Sequence, residues 1–216
     1  MKINAIICDM DGTLVEYPIP PFYSSWDALS LTLSNEKRKK WIETRDFYYP
    51  RKELYKEWYR EQVSFLRGLY LNEVGNYLFP VPYAQGVIEF FSDKKEYIKG
   101  IISSGVSLVA NRIVEELGFD FSVSNFIEVK GGRFTGRGET TMNLWRKDLD
   151  LLQAVEGRGV SLENVIYVGD NENDIPIFSL VEVSVAFRPK TEETKRAAKY
   201  VIDDFRELEE ILEELK

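Results

Sequence analysis

Short apolar segments that end in polar or charged residues are the main pattern of this sequence. Residues 3–8 have the length and β-branched content of a buried strand, and Asp9 and Asp11 follow it directly. Residues 165–168 repeat the arrangement and lead into Asp170. Open α/β sheets bind their ligands at the carboxyl ends of the strands, so both segments predict a functional edge of one sheet.

Helical segments alternate with these strands. Further strands are predicted at 97–102, at 181–187 and in a hairpin at 126–136 that turns at Gly131-Gly132. Helices are predicted at 84–92, at 107–117 with Ser107 as N-cap, at 145–155, after Asp174, and in an amphipathic tail that begins at 204. This alternation predicts an α/β fold with a doubly wound, mostly parallel Rossmann-like sheet.

The character of the chain changes between residue 16 and about residue 80. The periodicity there becomes helical, and the segment holds 15 of the 29 aromatic residues. Its nine acidic and ten basic residues give it a net charge of +1, against −9 for the rest of the chain. Prolines mark both of its ends. We therefore expect an α/β core domain of residues 1–15 and 81–216, with a helical cap domain of residues 16–80 inserted after the first strand.

Composition excludes several classes of function. A net charge of −8 argues against nucleic acid as a partner, and no apolar run approaches the 18 residues of a membrane span. The single cysteine allows no disulfide framework, and no basic-then-apolar leader precedes the first strand, so we expect a cytoplasmic location. The absence of histidine removes Ser-His and Cys-His nucleophile pairs and argues against a structural zinc site.

The two acids after the first strand need a counter-charge. Asp9 and Asp11 are separated by one residue, and carboxylates this close repel each other. Either one of them is protonated or a cation lies between them. In a chain without histidine, an oxygen-ligated ion such as Mg²⁺ is the simplest candidate.

Other strand and helix ends supply further candidate groups. Ser103 ends the 97–102 strand, where its hydroxyl and the amides that follow could hold a phosphate oxygen. Lys147 begins a predicted helix, at the end where the helix dipole disfavours a cation. Asp170 and Asp174 could each be an ordinary helix cap, and surface lysines and turn serines are common. Two acidic strand ends in one sheet nevertheless favour a shared site.

These features together resemble a known family. Asp9-Met10-Asp11-Gly12-Thr13 is similar to the DxDGT signature of the haloacid dehalogenase (HAD) superfamily of aspartate-nucleophile phosphatases, and residues 169–174 are similar to its GDxxxD motif. The Ser-Ser-Gly segment at 103–105 and Lys147 occur between them in the family's order. Residues 1–15 and about 82–216 resemble the phosphoserine phosphatase branch, whereas the cap resembles it much less.

The resemblance implies a mechanism. Asp9 would be the nucleophile that forms an aspartyl-phosphate, and Asp11 the acid and base. Mg²⁺ would be held by Asp9, Asp170 and the backbone carbonyl of Asp11, and Lys147 would neutralise phosphoryl oxygens. Thr13 and the 103–105 loop would bind the phosphate; the residues implied in the loop are Ser103, Ser104 and Gly105. Asn173 and Asp174 would orient metal-bound waters or Lys147. The implied activity is Mg²⁺-dependent hydrolysis of a small phosphorylated metabolite.

The sequence departs from the phosphoserine phosphatase pattern at three places. Ser104 replaces the first glycine of a Ser-Gly-Gly phosphate loop. Pro18 stands where an acid would meet the substrate amine, and Gln62 where an arginine would meet its carboxylate. Glu16 and Arg60 are the nearest possible substitutes. We therefore expect phosphoserine to be one of several substrates, preferred by less than about a hundredfold, which corresponds to roughly 2.7 kcal/mol.

Two other functions use the same residues. A phosphotransferase would pass the phosphoryl group from Asp9 to an alcohol instead of water. A non-catalytic protein would bind a phosphorylated ligand without turning it over. A dehalogenase is disfavoured, because that branch generally needs neither the second aspartate nor the metal, and the sequence provides for both.

Overall fold

A computed structural model describes residues 2–140 and 142–216 of the chain, and its sheet is built around β1 (Ala5–Cys8). All four residues of β1 are buried. The strand lies between β2 (Ile98–Val106) and β5 (Val165–Gly169), and it pairs with both in parallel. A central strand of a parallel sheet is covered on both faces, which is why this segment is a continuous apolar run.

The sheet has seven strands in the order β4-β3-β2-β1-β5-β6-β7. The remaining strands are β3 (Phe121–Lys130), β4 (Arg133–Glu139), β6 (Val183–Phe187) and β7 (Tyr200–Ile202). Only β3 and β4 pair antiparallel, as the predicted hairpin, and Gly131 and Gly132 turn it with positive φ angles of 57° and 72°. The predicted α/β fold with a mostly parallel sheet is confirmed.

Ten α-helices lie between or after these strands within the described residues. They are α1 (Ser25–Ser30), α2 (Asn35–Tyr48), α3 (Tyr55–Phe65), α4 (Leu71–Leu78), α5 (Val87–Phe91), α6 (Ser107–Leu117), α7 (Lys147–Glu156), α8 (Ile175–Phe178), α9 (Glu192–Ala197) and α10 (Leu208–Glu214). None of these helices is long and apolar enough to cross a membrane.

One predicted helix start was wrong. Val106, not Ser107, occupies the N-cap position of α6, and it makes no side-chain cap hydrogen bond. The reason is that β2 continues through the Ser-Ser-Gly segment to Val106 instead of ending at residue 102, so the helix begins immediately after the strand.

The sheet separates two hydrophobic cores. Ile6 and Cys8 of β1 belong to one core, and Ala5 and Ile7 belong to the other. Successive side chains of a strand point to opposite faces, so a single four-residue strand contributes to both cores. This double burial fixes the direction in which β1 ends, and hence the position of Asp9.

Helices α1 to α4 occupy the chain between Ser25 and Leu78, and they pack on the larger core. The turn after α3 is also joined to the hairpin by backbone hydrogen bonds. Phe134 accepts one from Gly68 at 2.8 Å and donates one to Leu69 at 3.0 Å, and Leu71 donates one to Gly132 at 2.9 Å. The helical segment is therefore anchored to β4 on one side. The domain bounds of 16–80 and of 1–15 with 81–216 remain a prediction.

Side-chain burial predicts unequal effects for two phenylalanines of the hairpin. Phe134 is 1% exposed and Phe126 is 49% exposed. Phe134→Ala should lower the free energy of unfolding by about 4 kcal/mol, because it leaves a cavity in the larger core. Phe126→Ala, the matched control, should lower it by less than about 1 kcal/mol. Denaturant unfolding measures both values, and equal losses would contradict the placement of Phe134 in the larger core.

Candidate active site

A buried ammonium group joins two elements at the carboxyl edge of the sheet. Asp9 follows β1, and Lys147 is the first residue of α7. The Lys147 Nζ atom lies 2.8 Å from Asp9 Oδ2 and 2.8 Å from Asp174 Oδ1. The side chain of Lys147 is completely buried. A buried ammonium group needs such partners, and here two carboxylates provide them.

Asp174 uses both of its carboxylate oxygens to hold this arrangement. Its Oδ1 atom accepts hydrogen bonds from Lys147 and from the hydroxyl of Tyr167, each at 2.8 Å. Its Oδ2 atom accepts from the amides of Asp170 at 3.0 Å and Asn171 at 3.2 Å. Asp174 therefore fixes both the lysine and the loop that follows β5.

Burial and the attraction of opposite charges shift the pKa values of Asp9 and Lys147 in opposite directions. Burial raises the pKa of Asp9, Lys147 opposes this rise, and the neighbouring Asp174 adds to it. Burial by itself would lower the pKa of Lys147, but the attraction of Asp174 and Asp9 outweighs it and raises the pKa above its usual value. The two carboxylates therefore favour the charged form of Lys147 beside Asp9.

The two oxygens of Asp170 have different partners. The hydroxyl of Thr13 donates to its Oδ1 atom at 3.2 Å. Its Oδ2 atom is buried and lies 2.6 Å from the Nζ atom of Lys190. Burial raises the pKa of Asp170, Lys190 lowers it, and Asp9 and Asp174 raise it further. Contact of Thr13 with a phosphate stays a prediction.

The chemistry of these donors suits a hard cation. Oxygens of Asp9, Asp170 and Asp174 lie within 4.8 Å of one another. Since Asp174 already accepts four hydrogen bonds, Asp9 and Asp170 are the side chains with capacity for a metal ion. Carboxylate oxygens are the ligands that Mg²⁺ prefers.

Asp11 is held by the helical segment. The amide of Ser25 donates to Asp11 Oδ1 at 2.8 Å, and the hydroxyl of Ser25 donates to Oδ2 at 2.7 Å. Burial raises the pKa of Asp11 to about 7, although the hydrogen bonds from Ser25 lower it. Gly105 approaches closely, since a Cβ atom there would lie 2.6 Å from Asp11 Oδ2. An acid with this pKa can both give and accept a proton near neutral pH.

The loop at 103–105 belongs to the end of β2. The hydroxyl of Ser103 accepts a hydrogen bond from the amide of Gly105 at 3.1 Å. The carbonyl of Ser104 accepts from Trp26 Nε1 at 2.9 Å and from Asn125 Nδ2 at 2.7 Å. Ser104 does not have a left-handed backbone, so a serine fits this position without the freedom of a glycine.

One cavity of about 980 Å³, open mouth included, connects most of the predicted residues. The predicted residues that line it are Asp9, Asp11, Ser103, Ser104, Asp170 and Asn173. Lys147 and Asp174 lie fully buried behind Asp9. The structure thus brings the acids of the first and last motifs to one place, and the roles of the individual residues remain a prediction.

The suggested substitutes for substrate recognition lie elsewhere. Neither Glu16 nor Arg60 lines the cavity. Glu16 pairs with Arg188 at 2.9 Å, and Arg60 is exposed. Gln62 does line the cavity, but its amide donates to the carbonyl of Trp41 at 3.3 Å. Recognition of both charges of serine by Glu16 and Arg60 is therefore not supported.

Sequence reasoning missed two residues of the site. Lys190 lies between β6 and α9, at the same edge of the sheet as Asp170, so its position near a strand end was a usable signal. The sequence around Ser25 contains no comparable sign of a role in the site. The Ser24-to-Asp27 pattern indicates a capping box, but nothing local shows that the amide of Ser25 meets Asp11.

The lysine cluster predicts a stability difference between two aspartates. Asp174→Asn removes a charge that faces the buried ammonium group of Lys147, and it should lower the free energy of unfolding by about 3 kcal/mol. Asp148→Asn is the matched control, because Asp148 pairs with the more exposed Arg146 and its loss should cost less than about 1 kcal/mol. Denaturant unfolding at neutral pH checks both. An unchanged stability for Asp174→Asn would show that the buried pair contributes nothing.

Comparison with known proteins agrees with this geometry. The sequence profile of the haloacid dehalogenase-like hydrolases matches residues 6–179. The phosphoserine phosphatase of Methanocaldococcus jannaschii is 30% identical over 162 residues, which are 73% of this chain and 75% of that protein. The phosphoserine phosphatase of Archaeoglobus fulgidus is 29% identical over 188 residues, which are 86% of this chain. This chain spans about half (52%) of the length of that relative. A solved structure of a phospho-aspartyl intermediate analogue of phosphoserine phosphatase superimposes with a TM-score of 0.77 at 25% identity, covering 98% of this chain and 99% of that one.

Proposed function

The chain belongs to the haloacid dehalogenase-like hydrolases, and we propose that it is a Mg²⁺-dependent phosphatase that hydrolyses a small phosphomonoester through an aspartyl-phosphate on Asp9. One observation carries the proposal. Asp9 lines the cavity while its Oδ2 atom is held 2.8 Å from a fully buried lysine, and oxygens of Asp9, Asp170 and Asp174 lie within 4.8 Å of one another. The phosphoserine phosphatases among its relatives support a phosphomonoester hydrolase.

Asp9 and Asp11 would divide the chemistry into two steps. In the first, a carboxylate oxygen of Asp9 bonds to phosphorus, the ester bond breaks, and Asp11 gives its proton to the leaving oxygen. In the second, a water molecule attacks phosphorus, Asp11 takes a proton from it, and phosphate leaves Asp9. The pKa of about 7 suits Asp11 to both directions of proton transfer.

Neutralising charge is the main requirement of phosphoryl transfer. The site has four carboxylates and two ammonium groups: those of Asp9, Asp11, Asp170 and Asp174, and those of Lys147 and Lys190. This excess of negative charge disfavours the binding of a phosphate dianion. Mg²⁺, when bound, supplies two positive charges that neutralise phosphoryl oxygens. Asp9, Asp170 and the backbone carbonyl of Asp11 would hold it, and the closeness of the Asp9 and Asp170 oxygens supports this assignment.

Ser103 and Lys147 would bind the remaining phosphoryl oxygens. Ser103 is buried next to Asp9 and its hydroxyl lowers the pKa of that acid. Lys147 holds Asp9 in place, so its ammonium group lies beside the reacting atoms. Thr13 would contact the phosphate from beside Asp170, to whose carboxylate its hydroxyl donates.

The metal requirement can be tested directly. The purified protein should hydrolyse 4-nitrophenyl phosphate in Mg²⁺, lose that activity in excess chelator, and regain it when Mg²⁺ is restored, because the uncompensated carboxylates repel the substrate. Release of nitrophenolate and of inorganic phosphate should be equal. Full activity in chelator would remove the metal from the proposal. Nitrophenolate release in excess of phosphate when an alcohol is added would instead indicate a phosphotransferase.

Substitution of the two aspartates separates their roles. With 4-nitrophenyl phosphate, whose leaving group needs no proton, Asp11→Asn should still form the phosphoenzyme and slow its hydrolysis by about 10²- to 10⁴-fold. Asp9→Asn should form no phosphoenzyme. Intact mass and peptide mapping of quenched protein measure the modification, and the exposed Asp203→Asn serves as control. A phosphoryl group found on any residue other than Asp9 would refute the assignment.

A further inference from the structure

We propose that the substrate of this site carries an aromatic leaving group, which five half-buried aromatic side chains enclose. This inference rests on the proposed function, because it names the substrate class of the same cavity. The five side chains, called the aromatic box below, are Phe22, Trp26, Tyr49, Trp58 and Trp145.

The exposure of these rings distinguishes them from packing residues. Other aromatic residues that line the cavity are fully buried; Trp41, Tyr55 and Tyr59 are 3%, 7% and 4% exposed. Such rings serve the hydrophobic core. The members of the aromatic box are instead only partly buried while they line the cavity. They therefore present aromatic surface to whatever fills it.

The rings of the box also support one another. Phe22 and Tyr49 are stacked, with centroids 5.0 Å apart and planes 28° apart. Trp58 and Trp145 meet Tyr49 edge-on, at 6.0 Å and 5.6 Å. These contacts hold the rings before a ligand arrives, and a flat aromatic group gains favourable stacked or edge-on contacts with such walls.

The charged groups of the wall do not suit the ammonium group of serine. Asp27 lines the cavity, but its Oδ2 atom already accepts hydrogen bonds from the amides of Phe22 and Ser24 and from the hydroxyl of Ser24. Arg45, a cation, lies 5.7 Å from the ring of Phe22. Glu172, which follows β5, also lines the cavity, but its side chain is exposed to solvent. An ammonium group among the rings would have to share the Asp27 carboxylate with three protein donors that already use it.

The test compares esters with closely similar reacting bonds. The kcat/KM values of 2-phenylethyl phosphate, 2-cyclohexylethyl phosphate, ethyl phosphate and phosphoserine are measured in Mg²⁺. We expect 2-phenylethyl phosphate to exceed ethyl phosphate by about thirtyfold or more, and to exceed the cyclohexyl ester and phosphoserine as well. A cyclohexyl ester that equals the phenyl ester would overturn the inference, since the walls would then select for apolar volume alone.

Substitutions test whether the aromatic box causes the preference for the phenyl ester. Trp58→Leu and, independently, Trp145→Leu should reduce the ratio of the phenylethyl to the ethyl kcat/KM values by about threefold to tenfold, mainly through KM. Phe47→Leu is the matched control, because Phe47 is 51% exposed on α2 and does not line the cavity, and it should leave the ratio unchanged.

The outcomes separate the two proposals. Hydrolysis of ethyl phosphate and phosphoserine without a preference for the arene would overturn this inference and leave the proposed function intact. A preference for phosphoserine that Glu172→Gln abolishes would overturn it too, and would assign the cavity to an amino acid. Failure to hydrolyse any of the esters would overturn the proposed function, and the inference with it.

Discussion

The site depends on one buried ammonium group. Removing a charge from water costs several kcal/mol, and a buried ion pair recovers this only when its geometry is good and the other polar atoms are satisfied. Lys147 meets both conditions, because two carboxylates lie at 2.8 Å and one of them, Asp174, accepts further hydrogen bonds from Tyr167 and from the loop after β5. The ends of β1 and β5 and the start of α7 are therefore held in one relative position. That position orients Asp9.

The predictable parts of this structure are those that local sequence determines. The strands that end in Asp9 and Asp170 are apolar runs, and the carboxyl-edge rule brings their ends together before any contact is known. Lys147 was selected through the family resemblance, because a lysine at a helix start is otherwise an ordinary surface residue. Lys190 was not predicted, although it also follows a strand of the same sheet. Ser25 could not be predicted, because its contact with Asp11 depends on how two distant segments pack.

The helical segment contributes to the chemistry as well as to enclosure. Ser25 donates two hydrogen bonds to Asp11, and Trp26 donates one to the carbonyl of Ser104 in the loop after Ser103. The same packing that removes Asp11 from water raises its pKa, and the hydrogen bonds from Ser25 limit that rise. Movement of α1 away from the core would undo both effects at once. Ser25 therefore links the position of α1 to the pKa of Asp11, while backbone hydrogen bonds join the turn after α3 to β4.

Most of the reacting groups and most rings of the aromatic box come from different parts of the chain. The carboxylates and Lys147 follow strands or begin a helix of the α/β sheet, so their positions are fixed by the two hydrophobic cores. Four of the five rings of the aromatic box come from the segment between β1 and β2, outside the strands that carry the ion cluster. Charged recognition of a leaving group needs a buried partner for each charge, whereas ring stacking needs only preformed apolar walls. A chain that has replaced the expected acid and arginine by Pro18 and Gln62 can therefore keep its phosphoryl chemistry while it accepts a leaving group of a different kind.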